Sequence, residues 1–389
     1  MNSSLPTVAP YAEPLKVIHF VTGGFTGSTK VAIELIRAAK QNPALSSMLV
    51  LRKKSSTDMA RVQQLQQDGI ALKLVAGWSH AATIIELIRI CKEYQPDILV
   101  THGFSEHLWG RYAGLLARVP HLVHVEHNSR ERYTPLRLLQ ARWLAQHTDN
   151  IIGCSEGVRQ RLLELQFPPE KISAINNGID LTPYTATHPL PLEERIPGIV
   201  MPARFAKQKD HETLIRAIAL LREKNIFPSV FFAGTGSKRH IARAKNLVDE
   251  LQLNAQIHFA GHCGNLPFVL MRHQICVLST RYEGMPLALA EGMASGCAVI
   301  GSAVTGVKEM IRHGKDGLLV KPQCAHAMAD ALEIMLGNSS YAQALATHGR
   351  ERALAEFSLA RMAQAYEQVF FALQHSSRVI HSEQLVLEN

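Results

Sequence analysis

At 389 residues, 47% apolar and 19% charged, the chain is too long for one ordinary hydrophobic core and too apolar for general disorder, so two globular domains are expected. The net charge of +8 divides into +5 over residues 1–185 and +3 over the rest, with no basic block or RNA-binding signature. That spread argues against nucleic acid and leaves anionic lipid headgroups or a phosphorylated substrate as partners.

The start, "MNSSLPTVAPYAEPLK", lacks a basic then apolar leader, and nowhere do about 18 apolar residues run without a charge, so a cytoplasmic protein is expected. Residues 1–14 read as a tail. "KVIHFV" (16–21) is followed by a helical pattern at 28–40, "SSMLVLR" (46–52) by one at 57–68, and "PDILVTH" (96–102) by one at 106–118. "HLVHVEH" (121–127), "NIIGCS" (150–155) and "KISAINNG" (171–178) complete a first domain over 15–185. Such alternation predicts a parallel sheet with helices on both faces.

Pro183, Pro189, Pro191 and Pro197 then mark an inter-domain linker. The alternation restarts with "IVMPAR" (199–204), "SVFFAGTG" (229–236), "QIHFAGH" (256–262), "ICVLST" (275–280), "CAVIGS" (297–302) and "GLLV" (317–320), giving a second α/β domain over 186–357. Leu359, Met362, Tyr366, Val369 and Phe370 lie at helical spacing and predict a terminal helix over 358–375, with a tail at 376–389. The six cysteines are scattered without a C-x-x-C pair, which excludes zinc-ribbon and redox spacing and leaves reduced, mostly buried thiols.

In open parallel sheets ligands bind beyond the carboxyl ends of the strands. The first such turn, "TGGFTGSTK", holds Gly23, Gly24 and Gly27 but fits neither the dinucleotide nor the P-loop fingerprint, so ligand contact and a plain tight turn both stand. "HLVHVEHN" offers His121, His124, Glu126 and His127. Strand alternation turns His124 away from the other imidazoles, and His121 and His127 lie roughly 20 Å apart, so no metal site is expected. What remains is His127 at a strand's carboxyl end, with His102 in the equivalent place on a neighbour. In "MPARFAKQKD", Arg204 and Lys209 straddle a turn and either close on a diphosphate or stay solvated. Gly234 and Gly236 form a further turn at a strand end.

"RYEGMPLALAE" (281–291) separates Glu283 and Glu291 by an uncharged run. Pro286 suits the first turn of a helix reaching about Ala294, Gly284 leaves room for a ligand, and the backbone N–H groups of Met285, Pro286's successor Leu287 and Ala288 form an anion site. Glu291 falls roughly 7 Å further along the axis. That separation argues against a tight two-metal clamp and towards successive contacts along one extended ligand; a structurally paired buried glutamate with a surface one stands as the alternative.

These residues together resemble the retaining glycosyltransferases of family 4, the group 1 glycosyl transferases, over about residues 15–375. The resemblance rests on the E-x7-E motif "EGMPLALAE", the following "GMASGCAVIGSAVTGVKEMIRHGKDGLLV", "NNGID", "ARFAKQKD", "AGTG" and the first glycine turn. It implies the GT-B fold: two Rossmann-like domains with parallel sheets facing a deep cleft, and a C-terminal helix returning towards the N-terminal domain. It implies a nucleotide-diphosphate sugar as donor, UDP-sugar favoured over GDP-mannose, and transfer of a hexosyl or N-acetylhexosaminyl group to a glycan or lipid-linked acceptor in cell-surface polysaccharide or lipopolysaccharide assembly. Neither cofactor nor metal is implied.

Carried onto this chain, Arg204 and Lys209 would neutralise the diphosphate, the turn at Gly234 and Gly236 and the helix tip from Gly284 through Met285, Pro286 and Leu287 would cradle the donor, and Gly24 would let backbone approach the phosphates. Glu291 would bind ribose, Glu283 would hold sugar hydroxyls, His127 would lie beside the anomeric centre, and His102 would reach the acceptor. A catalytically silent nucleotide-sugar-binding subunit and an epimerase or phosphorylase on the same fold are the rival readings. Arg281 stands where the family is commonly small or apolar, without explanation from sequence. "RERYTPLRLLQARW" (130–143) reads either as a helix packed on its domain with a wet basic face, or as a peripheral contact with the inner face of the cytoplasmic membrane.

Overall fold

The computed structural model describes residues 13–387 apart from 131, 132 and 187, so the tail at 1–14 and Arg132 of the basic segment fall largely outside the described residues. The first sheet holds seven parallel strands: β1 (Leu15–Thr22), β2 (Leu45–Arg52), β3 (Leu72–Val75), β4 (Ile98–His102), β5 (His121–Glu126), β6 (Asn150–Gly153) and β7 (Ile172–Ala174). Their order is β3-β2-β1-β4-β5-β6-β7. The second holds six: β8 (Ile196–Pro202), β9 (Ser229–Ala233), β10 (Ile257–Gly261), β11 (His273–Leu278), β12 (Ala298–Ser302) and β13 (Leu318–Val320), in the order β10-β9-β8-β11-β12-β13.

Helices cover both faces, so central strands such as β4 are buried along their whole length and read as continuous apolar runs without alternation. The sequence pattern misses β3 and the helix His80–Tyr94 behind it. β3 is a four-residue edge strand, mostly half-buried and carrying Lys73, so it lacks that signature.

Among its described residues the connection between the sheets contains a short α-helix, Thr182–Thr185, and a single 3-10 turn, Leu192–Glu194. The chain crosses back through the terminal helix, which runs Leu359–Leu387 and so continues past residue 375, where the helical spacing ends. Met362, Ala363, Tyr366 and Phe370 of this helix pack with Leu15, Val17, Val100 and Val125 of the first domain. A second apolar cluster joins Leu108 and Ile151 of the first domain to Val200, Leu289 and Met293 of the second. Tyr366, 1% exposed, is the largest apolar anchor of the returning helix. Tyr366→Ala is expected to destabilise the protein by about 3–5 kcal/mol, as for other large aromatic truncations, lowering the urea midpoint; a loss below about 1 kcal/mol would show that the helix is not docked in solution.

Candidate active site

Each sheet reverses its winding at one point, between β1 and β4 in the first and between β8 and β11 in the second. The carboxyl ends at both reversals face one another across a cleft of about 640 Å³ lined from both domains. Thr22 and Lys30 line one side with His102 and His127. Arg204, Lys209, Glu283 and Glu291 line the other.

Glu283 is 6% exposed and its Oε1 accepts two hydrogen bonds, from Lys209 Nζ at 2.5 Å and Thr280 Oγ1 at 2.8 Å. Both fall on one oxygen, so Oε2 keeps its lone pairs for a ligand. Arg281 now has an explanation. Its guanidinium donates to Asp210 Oδ1 at 2.8 and 3.2 Å, and its backbone N–H donates to the Gln208 carbonyl at 2.9 Å. These bonds zip the loop carrying Lys209 to the loop carrying Glu283. Arg204 is exposed and, among the described residues, makes no ion pair, so it remains available to an anion.

Pro286 stands one place earlier than the sequence predicts: it is the N-cap of the helix Leu287–Ala294, with extended backbone (φ −77°, ψ 113°), in place of the first helical residue. The helix start still points its unpaired N–H groups into the cleft, where the helix dipole favours negative charge. Met285 lines the cleft below it, held by a hydrogen bond from Asn177 Nδ2 to the Met285 carbonyl at 3.2 Å. Glu291, 7% exposed, is paired across the cleft with Lys30 Nζ at 2.6 Å.

The glycines divide. An added Cβ at Gly284 would lie 2.2 Å from the His127 carbonyl oxygen, so the room expected there for a ligand is filled by backbone of the facing domain. At Gly234 and Gly236 a Cβ would lie 2.2 Å from the carbonyls of Ala203 and Phe205. These two glycines let neighbouring strand ends pass, and of the pair only Gly234 lines the cleft. Gly24 meets nothing closer than 3.6 Å and does not line the cleft; Phe25, Thr26 and Gly27 do.

His127 follows β5 and stands in a row with two other imidazoles. His102 Nδ1 lies 3.1 Å from His127 Nε2, and His102 Nε2 lies 3.1 Å from His19 Nδ1. His102 is fully buried and both its ring nitrogens are engaged, which turns the expected acceptor contact into a support behind His127. His121 and His124 stay inside the domain, beside Asp149 (3.5 Å) and the Thr101 carbonyl (3.3 Å). Residues that sequence reasoning missed include Lys30, Asn177, Thr235 and His262. Thr235 and His262 each follow a strand's carboxyl end, a positional signal that would have found them. Lys30 carries no such mark, because its partner is 261 residues away.

Two Rossmann-like halves closing on such a cleft define the GT-B class. Residues 26–183 match the family "Glycosyltransferase Family 4" and residues 188–352 match "Glycosyl transferases group 1". The chain belongs to this family of glycosyltransferases. It is 28% identical over 266 residues to the UDP-Gal:alpha-D-GlcNAc-diphosphoundecaprenol alpha-1,3-galactosyltransferase of Escherichia coli, covering 64% of this chain and 69% of that protein. It is 22% identical over 361 residues to the lipopolysaccharide core biosynthesis glycosyltransferase LpsE of Rhizobium meliloti, covering 91% of this chain and 98% of that one. Across the first curated relatives the matched stretch spans 57% to 69% of the relative's own length. The solved structure of Anabaena Alr3699/HepE in complex with UDP-glucose shares the fold, with a TM-score of 0.79 at 17% identity over 92% of this chain and all of that one.

Burial holds His19 down to about 3 and His127 to about 4, and pushes His102 well below the usual imidazole value. All three are therefore neutral at pH 7. A histidine whose folded pKa lies below its unfolded value of 6.5 makes the unfolded chain bind more protons, so its contribution is full above that pH and declines as pH falls towards the folded value. At pH 5, His19 alone is expected to cost about 2 kcal/mol of stability. Thermal unfolding of wild type and His19→Leu at pH 7 and pH 5 checks this: the variant should lose less on acidification, and equal losses would contradict the burial of a neutral ring.

Proposed function

We propose that the protein is a retaining glycosyltransferase that moves a hexosyl or N-acetylhexosaminyl group from a UDP-sugar to a glycan or lipid-linked acceptor in cell-surface polysaccharide or lipopolysaccharide assembly. One observation carries this reading: Glu283, the helix start at Leu287 and Glu291 follow one another along a single cleft, with Lys209 and Arg204 beside them. That order matches the parts of a nucleotide-diphosphate sugar. The hydroxyls of the sugar meet Glu283, the diphosphate meets the helix tip with Arg204 and Lys209, and the ribose hydroxyls meet Glu291, displacing Lys30. The relatives named for a UDP-sugar donor and for lipopolysaccharide core synthesis support both substrate classes.

Neutralising the diphosphate makes it a good leaving group, so charge stabilisation carries much of the barrier. The bond from the anomeric carbon to the phosphate oxygen breaks and a bond to the acceptor oxygen forms on the same face. The departing phosphate oxygen takes the acceptor's proton, and His127 stands beside the reacting carbon. No group in this sequence of steps requires a metal or a cofactor.

The exterior of the helix Pro135–Gln146 supports membrane contact. Leu138, Ala141, Leu144 and Ala145 turn towards the domain, while Leu136 (66% exposed), Leu139 (66%) and Trp143 (51%) form an outer stripe. Arg142 is tied to the Leu165 carbonyl at 2.9 Å, so the outer face is apolar where a wet basic face was the alternative. Among the described residues no helix is long and apolar enough to cross a membrane. A stripe of this kind, on a helix whose only charges are two arginines, suits shallow insertion into an anionic lipid surface.

Screening nucleotide sugars for slow hydrolysis, followed by transfer assays, tests the donor reading; no binding and no turnover with any of them would overturn it. Glu291→Ala is expected to weaken UDP binding by about 1–3 kcal/mol, measured by calorimetry. Glu283→Gln should leave UDP affinity in place and depress turnover of the intact donor. With anionic vesicles, wild type is expected to float and a Leu139→Asp, Trp143→Asp double variant to stay soluble; a wild type that also stays soluble would discard the membrane contact.

A further inference from the structure

The row of imidazoles does more than fill space. β1, β4 and β5 are adjacent in the sheet, so His19, His102 and His127 lie side by side, with ring centroids 5.3 Å apart at each step. His19 is 1% exposed and His102 is 0% exposed. Three apolar side chains would occupy these positions at lower desolvation cost, and the neighbour that the terminal helix sets against His19 is the apolar ring of Phe370. His102 and His127 both border the space between the domains, and His127, the less buried of the two, leads into the segment next to Glu283, where the Ser129 hydroxyl donates to the Glu283 carbonyl at 2.6 Å.

A neutral imidazole carries one N–H and one bare nitrogen. Three such rings joined by two N···N hydrogen bonds hold three protons, two of them inside the bonds. The third must sit at one end of the row, so all three tautomers are locked together. In one state His19 Nδ1–H donates to His102 Nε2, His102 Nδ1–H donates to His127 Nε2, and His127 presents Nδ1–H to the cleft. In the other every bond is reversed and His127 presents a bare nitrogen.

We propose that His19 and His102 are positioning residues that fix His127 as the Nδ1–H tautomer, so that it donates a hydrogen bond to an oxygen of the bound sugar donor. The inference deepens the nucleotide-sugar reading of the same cleft and rests on it. The ligand chemistry selects this state. A sugar hydroxyl that donates its proton to the carboxylate of Glu283 has only lone pairs left, and phosphate oxygens likewise only accept. A donor is needed opposite them, and a bare imidazole nitrogen would repel them. The tautomer that the far end of the row imposes therefore decides whether the reacting end can bind.

Long-range proton–nitrogen NMR of the full-length protein labelled with nitrogen-15 histidine reads the tautomer directly, with His127→Gln identifying the signal. Wild type is expected to show His127 as a single neutral Nδ1–H tautomer between pH 6 and 8. His19→Leu breaks the end of the row and should give a tautomer mixture at His127. Its kcat for donor hydrolysis should fall about tenfold or more, with KM changed little, as when a partner behind a contacting group is lost. His19→Asn restores a donor to His102 and should recover most of kcat, whereas His19→Asp, which only accepts, should not. Thermal unfolding shows which variants are folded, and His102→Asn tests the middle of the row if a His19 variant fails to fold. An unchanged His127 tautomer or an unchanged kcat in folded His19→Leu overturns the proposal, as does equal activity of the Asn and Asp variants. The two readings fail separately: a wild type that locks His127 but hydrolyses no nucleotide sugar sinks the donor assignment, and one that turns over donor with a tautomer mixture at His127 sinks the relay.

Discussion

The cleft exists in its present form because backbone meets backbone between the two sheets. Gly284 sits against the carbonyl of His127, and Gly306 sits in turn so close to the carbonyl of Gly284 that a Cβ there would lie 1.7 Å from it. Three chain segments from two domains are thus layered without side chains between them. This contact sets the distance between the imidazole row on one side and the carboxylates on the other. A single methyl at either glycine must move a whole domain edge, because no flexible side chain is available to yield. The site depends on what these positions lack.

Around that contact the charges are arranged in pairs that a ligand can rearrange. Glu283 holds Lys209 within its own domain, with both side chains largely buried, while Glu291 reaches across to Lys30, whose side chain is 42% exposed. The first pair is part of the scaffold, since removing one partner would strand a desolvated charge. The second is weaker because solvent screens it, and ribose hydroxyls can compete for the same carboxylate. Arg281 and Asp210 brace the loops behind the first pair. The electrostatic apparatus therefore has a rigid part at the sugar end and an exchangeable part at the ribose end.

Most of the architecture was legible because central parallel strands, buried on both faces, leave apolar runs, and twelve of the thirteen described strands fall on segments that the sequence marks. β3 failed the test as a short edge strand. The strand-end rule picked out Glu283, Lys209, Arg204 and His127 from their order along the chain alone, and the structure brings all four to one cleft. It could not distinguish glycines that receive a ligand from glycines that receive another stretch of backbone: Gly284 meets the His127 carbonyl and Gly236 the Phe205 carbonyl. Nor could it foresee Arg281 with Asp210, Lys30 with Glu291, or His19 with His102. Those partners are 71, 261 and 83 residues apart, and only tertiary packing joins them.

The chain passes between the domains twice, and the two passages are bonded to each other. The Ile179 N–H donates to the Phe357 carbonyl at 2.9 Å, and the Leu359 N–H donates to the Ile179 carbonyl at 2.8 Å, with Gly178 pressed against Ser358. Two independent strands would let the halves twist and slide freely. Laced together, the two passages form a single hydrogen-bonded connection, so the halves cannot part along it without breaking backbone bonds of both passages at once.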